Sequence, residues 1–246
     1  MNDMKFFTGS DKGLVRHENE DSLLLHIPEG NSVLESKGIL AIVADGVGGG
    51  PAGKRASLMA VELIRDSYYK YQTGDKLEDL QESMKLANLH IYQEARRDPL
   101  LRGMATTCTA FVVYKMEGFL CHAGDSRAYM LRDSKLRLLS EDHTLVNELI
   151  AEGIITPEEG RIHPQRNIIL KALGSVSHLD PYVSRIDLKK GDILLLCSDG
   201  LHGYMADEEI TRILTKYSVE QAGRKLIDHA LDLGGADNIT IVLISI

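Results

Sequence analysis

A chain of 246 residues with 43% hydrophobic and 26% charged residues is long enough to bury a substantial core in one domain, and its balance excludes a disordered, collagen-like or coiled-coil protein. Its net charge of -8 argues against a nucleic-acid backbone or an anionic membrane as the main partner. Residues 1–13 hold charges where a leader would be apolar, and no run approaches the ~20 apolar residues that span a bilayer, so the expectation is a cytoplasmic protein.

In chain order, short apolar runs at 21–27 and 38–44 predict strands, and breaker-poor stretches at 52–71 and 77–97 predict helices. Within the second helix Leu77, Leu80, Met84, Ala87, Ile91 and Ala95 step by three or four, which is one buried stripe. Runs at 107–114, 119–123, 128–131 and 136–139 have connections too short for crossover helices and predict an antiparallel meander. The polar stretch 144–166, broken by Pro157 and Pro164, reads as an excursion with one or two short helices. Strands return at 183–188 and 193–197, followed by helices near 207–216 and 219–233 and a closing strand at 239–244. Helix pairs segregated from antiparallel strands predict an α+β fold of helix-covered sheet layers. With no repeat or linker, residues 1–246 read as one domain. Cys108, Cys121 and Cys197 lie in or beside apolar runs, lack C-x2-C spacing and read as buried reduced thiols.

Acidic residues fall at the ends of these runs. Ala41 to Ala44 leads into Asp45-Gly46, Cys121 to Ala123 into Gly124-Asp125, and Leu195 to Ser198 into Asp199-Gly200, while Asp237 directly precedes the closing strand. Antiparallel pairing sets the start of one strand beside the end of its neighbour, so these acids converge at one edge. Any single Asp-Gly is ordinary turn chemistry. Several carboxylates gathered together repel one another unless a hard divalent cation such as Mg2+ or Mn2+ neutralises them. The segment Arg16-His17-Glu18-Asn19-Glu20-Asp21 adds acids and a guanidinium. Alone it is a solvated loop; beside a metal, Arg16 is a fork matched to phosphate oxygens.

The ordered set Arg16-x-x-Asn19-Glu20-Asp21, Asp45-Gly46-Val47-Gly48-Gly49, Gly103 to Thr107, Gly124-Asp125-Ser126-Arg127, Ser140 to His143, Ser198-Asp199-Gly200-Leu201 and Asp237-Asn238-Ile239-Thr240 resembles the metal-dependent serine/threonine protein phosphatases, the PPM family (protein phosphatase type 2C), in its compact bacterial form. The resemblance implies a four-layer α-β-β-α sandwich of two antiparallel sheets flanked by helix pairs, with 144–166 as a flap. It makes Asp45 the bridge between two Mn2+ or Mg2+ ions, Gly46 a carbonyl ligand of one and Asp199 and Asp237 ligands of the other. It further makes Asp125, with Asp199, a weaker third site, Asp21 the holder of a water on the metal, and Arg16 the phosphate-binding residue. The implied activity is hydrolysis of phosphoserine and phosphothreonine by a metal-activated water without a phosphoenzyme. The implied partners are phosphorylated proteins made by a Ser/Thr kinase, met by a monomer.

Where many relatives carry a histidine in or after the Asp-Gly-x-Gly-Gly stretch, this chain has Val47 and Gly50, which leaves the proton donor open. His17, His143 and His163 receive no role. Competing readings are a catalytically silent relative that binds phosphoproteins or regulates, a P-loop NTPase from Gly48 to Arg55, and a thiol phosphatase from the C-x5-R spacing of Cys121 and Arg127.

Overall fold

The computed structural model describes residues 4–47 and 51–246; Gly48, Gly49 and Gly50 of the glycine-rich motif lie outside them. The first half runs β1 (Lys5–Asp11), β2 (Ser22–His26), α1 (Asn31–Lys37), β3 (Ile39–Ala44), β4 (Gly46–Val47), α2 (Pro51–Tyr68), α3 (Lys76–Arg97), β5 (Ala105–Thr106) and β6 (Cys108–Tyr114). The second runs β7 (Glu117–Ala123), β8 (Arg127–Arg132), β9 (Lys135–Leu138), α4 (Leu145–Ala151), α5 (Pro157–Arg161), β10 (Tyr182–Asp187), β11 (Ile193–Cys197), α6 (Asp199–His202), α7 (Asp207–Lys216), α8 (Val219–Asp232) and β12 (Ile239–Ser245). Among the described residues no helix is long and apolar enough to cross a membrane.

Two five-stranded sheets, β1-β12-β11-β8-β9 and β10-β7-β6-β3-β2, are accompanied by a short β4-β5 pair. Period-two alternation within single strands explains how they stack. In β3, Leu40, Ile42 and Ala44 pack on α2 and α3, whereas Ile39, Ala41 and Val43 face the other sheet. In β12, Ile239, Ile241 and Leu243 pack on α7 and α8, while Val242 and Ile244 face inward. Strands covered on both faces are continuously apolar, and the layers are α-β-β-α, the α+β sandwich implied by the sequence. The α3 stripe is as predicted: Leu80, Met84, Ala87 and Ile91 are fully buried under the sheet, with Leu77 and Ala95 at its margins. Asp75 caps this helix by accepting from the Leu77 N–H at 2.9 Å.

The predicted single meander is corrected. Strands β6 and β7 pair in one sheet and β8 and β9 in the other, so the chain changes sheets at Gly124-Asp125-Ser126. A short turn is compatible with a hairpin and with a sheet change, and local sequence does not distinguish them. Every named strand pair is antiparallel, which removes the parallel sheet that a nucleotide-binding loop requires. Residues 144–166 hold α4 and α5, the latter opened by a Thr156–Glu159 capping box with Pro157 in its first turn.

Candidate metal centre

Strand register carries the acids to one edge. Ser22 pairs with Ala44, so Asp21 before β2 and Asp45 after β3 are neighbours. Cys197 pairs with Ile241, so Asp199 after β11 lies beside the chain that enters β12 from Asp237. The sheet-changing turn brings Asp125. Two glycines permit the close approach. A Cβ on Gly46 would strike the Gly53 carbonyl, and one on Gly200 would strike the Asn238 carbonyl, which is the contact that draws the Asp199 and Asp237 segments together.

Hydrogen bonds to backbone and side-chain groups fix the acid-bearing segments and leave one carboxylate oxygen of Asp21, Asp125 and Asp199 without a donor. The Asp45 N–H donates to Thr107 Oγ1 at 2.9 Å, and its carbonyl accepts from the Thr107 N–H and the Thr106 hydroxyl, each at 2.8 Å. Ser198 donates its hydroxyl to Asp21 Oδ2 at 2.8 Å and accepts the Thr240 N–H at 3.0 Å. Asn238 tethers the arginine loop: its Oδ1 accepts from the Glu20 N–H at 2.8 Å, and its Nδ2 donates to the Lys12 and Glu18 carbonyls at 2.9 and 3.0 Å. Gly13, at φ +77°, lies so close to the Asp237 carbonyl that no side chain fits. Held in this way, Arg16 Nη2 donates to Asp237 Oδ2 at 2.6 Å and stays half-exposed.

The electrostatics are those of crowded, desolvated anions. Burial, then the charges of Asp21, Asp199, Asp125 and Asp237, pushes the Asp45 carboxyl well up. Burial, with Asp199 and Asp237 adding to it, raises Asp21 to about 7. Burial and Asp199 raise Asp125 to about 8, and burial and Asp237 raise Asp199 to about 6. Asp21 Oδ1, Asp125 Oδ1 and Asp199 Oδ1 are buried with no hydrogen-bond partner. A buried acceptor left unsatisfied costs ~1–3 kcal/mol, so three of them side by side require a partner of another kind. An all-oxygen donor set of this kind is the type that a hard divalent cation such as Mg2+ or Mn2+ takes. Among the described residues no three side chains are already closed about one point as a ligand set; the acids are gathered, and Asp237 is engaged by Arg16.

All the acids and the arginine expected from the sequence therefore share one neighbourhood, with Gly46 beside Asp45 in β4. Arg16 itself feels Asp237, Asp45 and Glu20. Sequence reading assigned no role to Asn238 or Ser198, although both stand inside the quoted motifs. It also missed Tyr204: burial and the charges of Asp199 and Asp237 raise its phenol, while Arg166 and Arg16 oppose that, so it stands at the rim. Its signal was only its position five residues after Asp199. The thiol alternative fails on packing. Cys121 is fully buried against Met84 with its thiol pushed up by burial, and Arg127 is committed to Asp142 through contacts of 2.7–3.0 Å.

Comparison with known proteins gives the family. The family model described as Protein phosphatase 2C matches residues 17–233. The serine/threonine protein phosphatase PstP of Mycobacterium tuberculosis is 38% identical over 240 residues, covering 98% of this chain and 44% of that protein. The serine/threonine phosphatase stp of Listeria welshimeri is 37% identical over 242 residues, covering 96% of this chain and 93% of its own length. The crystal structure of the catalytic domain of PstP in complex with two manganese ions superposes with a TM-score of 0.85 at 34% identity, covering 98% of this chain and 97% of that one. This chain belongs to the protein phosphatase 2C family. It spans less than half the length of the mycobacterial relative it matches.

Proposed function

We propose that this chain is a metal-dependent phosphoprotein phosphatase that hydrolyses phosphoserine and phosphothreonine. The observation that supports it most is the convergence of buried carboxylates with orphaned oxygens beside a half-exposed arginine. Asp45 would bridge two ions, with the Gly46 carbonyl on one and Asp199 and Asp237 on the other; Asp125 and Asp199 would hold a weaker third, and Asp21 would hold water at the centre. Two Mn2+ or Mg2+ ions at such a site supply an activated water nucleophile near neutral pH and polarise the phosphoryl oxygens.

The remaining work belongs to the chain. Arg16 spends one hydrogen bond on Asp237 and has further N–H donors for the phosphate, where its fixed charge offsets negative charge growing on the equatorial oxygens. Asn238 and Gly13 orient it by fixing the loop on both sides. Val47 has no proton to give to the leaving oxygen, so another group must serve. Residues 144–166 act in this reading as the flap of a single domain, the place where one phosphoprotein is chosen over another. The partners are proteins phosphorylated by a Ser/Thr kinase.

Release of phosphate from a phosphothreonine peptide tests the reading. With Mn2+ the wild type turns over; with chelator, or in Asp45→Asn, turnover is lost. A purified chain that binds Mn2+ yet releases no phosphate from any phosphopeptide is instead a silent binding relative.

A further inference from the structure

The turn that carries Asp125 is tied on several sides. The Gly124 N–H donates to His143 Nδ1 at 3.2 Å, and the Gly124 carbonyl accepts from the His143 N–H at 2.7 Å and from His122 Nε2 at 3.1 Å. Ser126 continues the anchoring through Thr107, with 2.7 Å between hydroxyls, and through its carbonyl, which accepts from Thr109 Oγ1 at 3.1 Å. These contacts fix the turn to its own sheet. One contact does something different: His202 Nε2 lies 2.9 Å from the Asp125 carbonyl, and because a carbonyl only accepts, the imidazole donates.

His202 is the last residue of α6, the single turn that begins with Asp199. The imidazole therefore joins the element carrying one orphaned carboxylate to the element carrying another, just past the last register pair of β11 and β8, Cys197 with Arg127. Alone, α6 is poorly held: a one-turn helix has the cost of nucleation without propagation, and its closing bond is Gly203 N–H to the Asp199 carbonyl at 2.8 Å. Gly200 fixes its distance from Asn238, and so from Asp237, but nothing in that contact fixes its distance from Asp125. Asp125 is 8% exposed, and its Oδ1 points at no donor. The β11–β8 pairing of Cys197 with Arg127 brings the two segments side by side, and beyond its end the hydrogen bond from His202 ties α6 to the Asp125 backbone.

We propose that His202 is a positioning residue that sets the spacing of Asp125 and Asp199, and with it the affinity of the weaker divalent-cation position between them. This rests on the reading of those carboxylates as a cation site. His202 touches neither phosphate nor cation; it acts through the Asp125 backbone, as outer-shell partners of metal ligands do.

Mn2+ titrations by calorimetry, with the paramagnetic resonance spectrum of bound Mn2+ as a second readout, separate the possibilities in wild type, His202→Phe, His202→Gln and Asp125→Ala. Phenylalanine keeps a ring and loses the donor; glutamine places an amide N–H at a similar reach. Outer-shell losses cost 10–100-fold in affinity, so His202→Phe is expected to weaken the weakest Mn2+ step at least about tenfold and leave the tighter steps alone. His202→Gln is expected to recover most of that loss. If Asp125→Ala loses the weak step while His202→Phe binds as wild type, the inference is wrong. If Phe and Gln weaken it equally, the hydrogen bond is not the cause and the inference is again wrong. An unchanged weak step in Asp125→Ala overturns instead the assignment of the carboxylate pair. Should His202→Phe fail to fold, His202→Met, flexible and without a donor, takes its place.

Discussion

Strand β3 has a buried acid at each end, and the two are opposites. Before it, Asp79, 2% exposed, accepts from Lys37 Nζ at 2.7 Å and from the Thr73 N–H and hydroxyl at 3.0 and 2.9 Å, while Lys37 also donates to the Tyr71 carbonyl. Burial raises that carboxyl, but Lys37 and Thr73 outweigh it and hold it below the usual range. After β3, the acids around Asp45 are buried or half-buried, lie close enough to feel one another's charge, keep orphaned oxygens and are pushed up. Burial is common to both ends. What distinguishes the end beyond β3 is that the fold leaves several carboxylate oxygens there without a donor when it has shown, a strand's length away, that it can satisfy an acid.

That contrast is broken most forcefully at Asp79. Asp79→Ala strands a buried ammonium and is expected to cost about 3–5 kcal/mol in urea unfolding, whereas Asp125→Ala in metal-free protein should cost little; equal losses would erase the distinction. Next, Mn2+ at 100 times its dissociation constant should stabilise the wild type by about 2.7 kcal/mol and should stabilise Asp45→Asn far less, read as a shift in the thermal melt. Arg16→Ala removes charged hydrogen bonds to phosphate worth about 1.5–3 kcal/mol. It should lower kcat/KM on a phosphopeptide about 10- to 100-fold while leaving Mn2+ uptake intact, and unchanged kinetics would strip Arg16 of its role.

The last test is in pH. Asp125 is raised to about 8 in the fold, above its unfolded value near 4. Between those values the folded chain holds a proton that the unfolded chain has lost, so metal-free stability falls as pH rises from about 4 to about 8. The Asp79 contribution has the reverse sign: present above the unfolded value, it is lost as pH falls through the depressed folded one. Urea midpoints across pH should show the first slope disappear with saturating Mn2+ and diminish in Asp125→Asn.

The strands that carry the acids were legible because both faces are covered, which makes them dense in Ile, Leu and Val, and because each ends abruptly in Asp or Gly. β1, an edge strand with no Ile, Leu or Val, was not legible. Phe6 packs between the sheets and Phe7 on the α8 side, so adjacent residues are both apolar and no alternation remains. Short α1 offers too few turns for a periodicity to show. At the site, residue types that attract cations stand out in sequence, whereas Asn238 and His202 act by bridging partners 218 to 226 positions away, or 77 in the histidine's case, and such reach is set by register alone.

Because Asp21 and Asp45 hang from one sheet and Asp199 and Asp237 from the other, with Asp125 on the strap between, an ion seated among them is also a rivet through both plates of the sandwich. Sliding one plate against the other would tear that coordination, so in the proposed reading the catalytic machinery and the mechanical stiffness of this molecule would share one fastener.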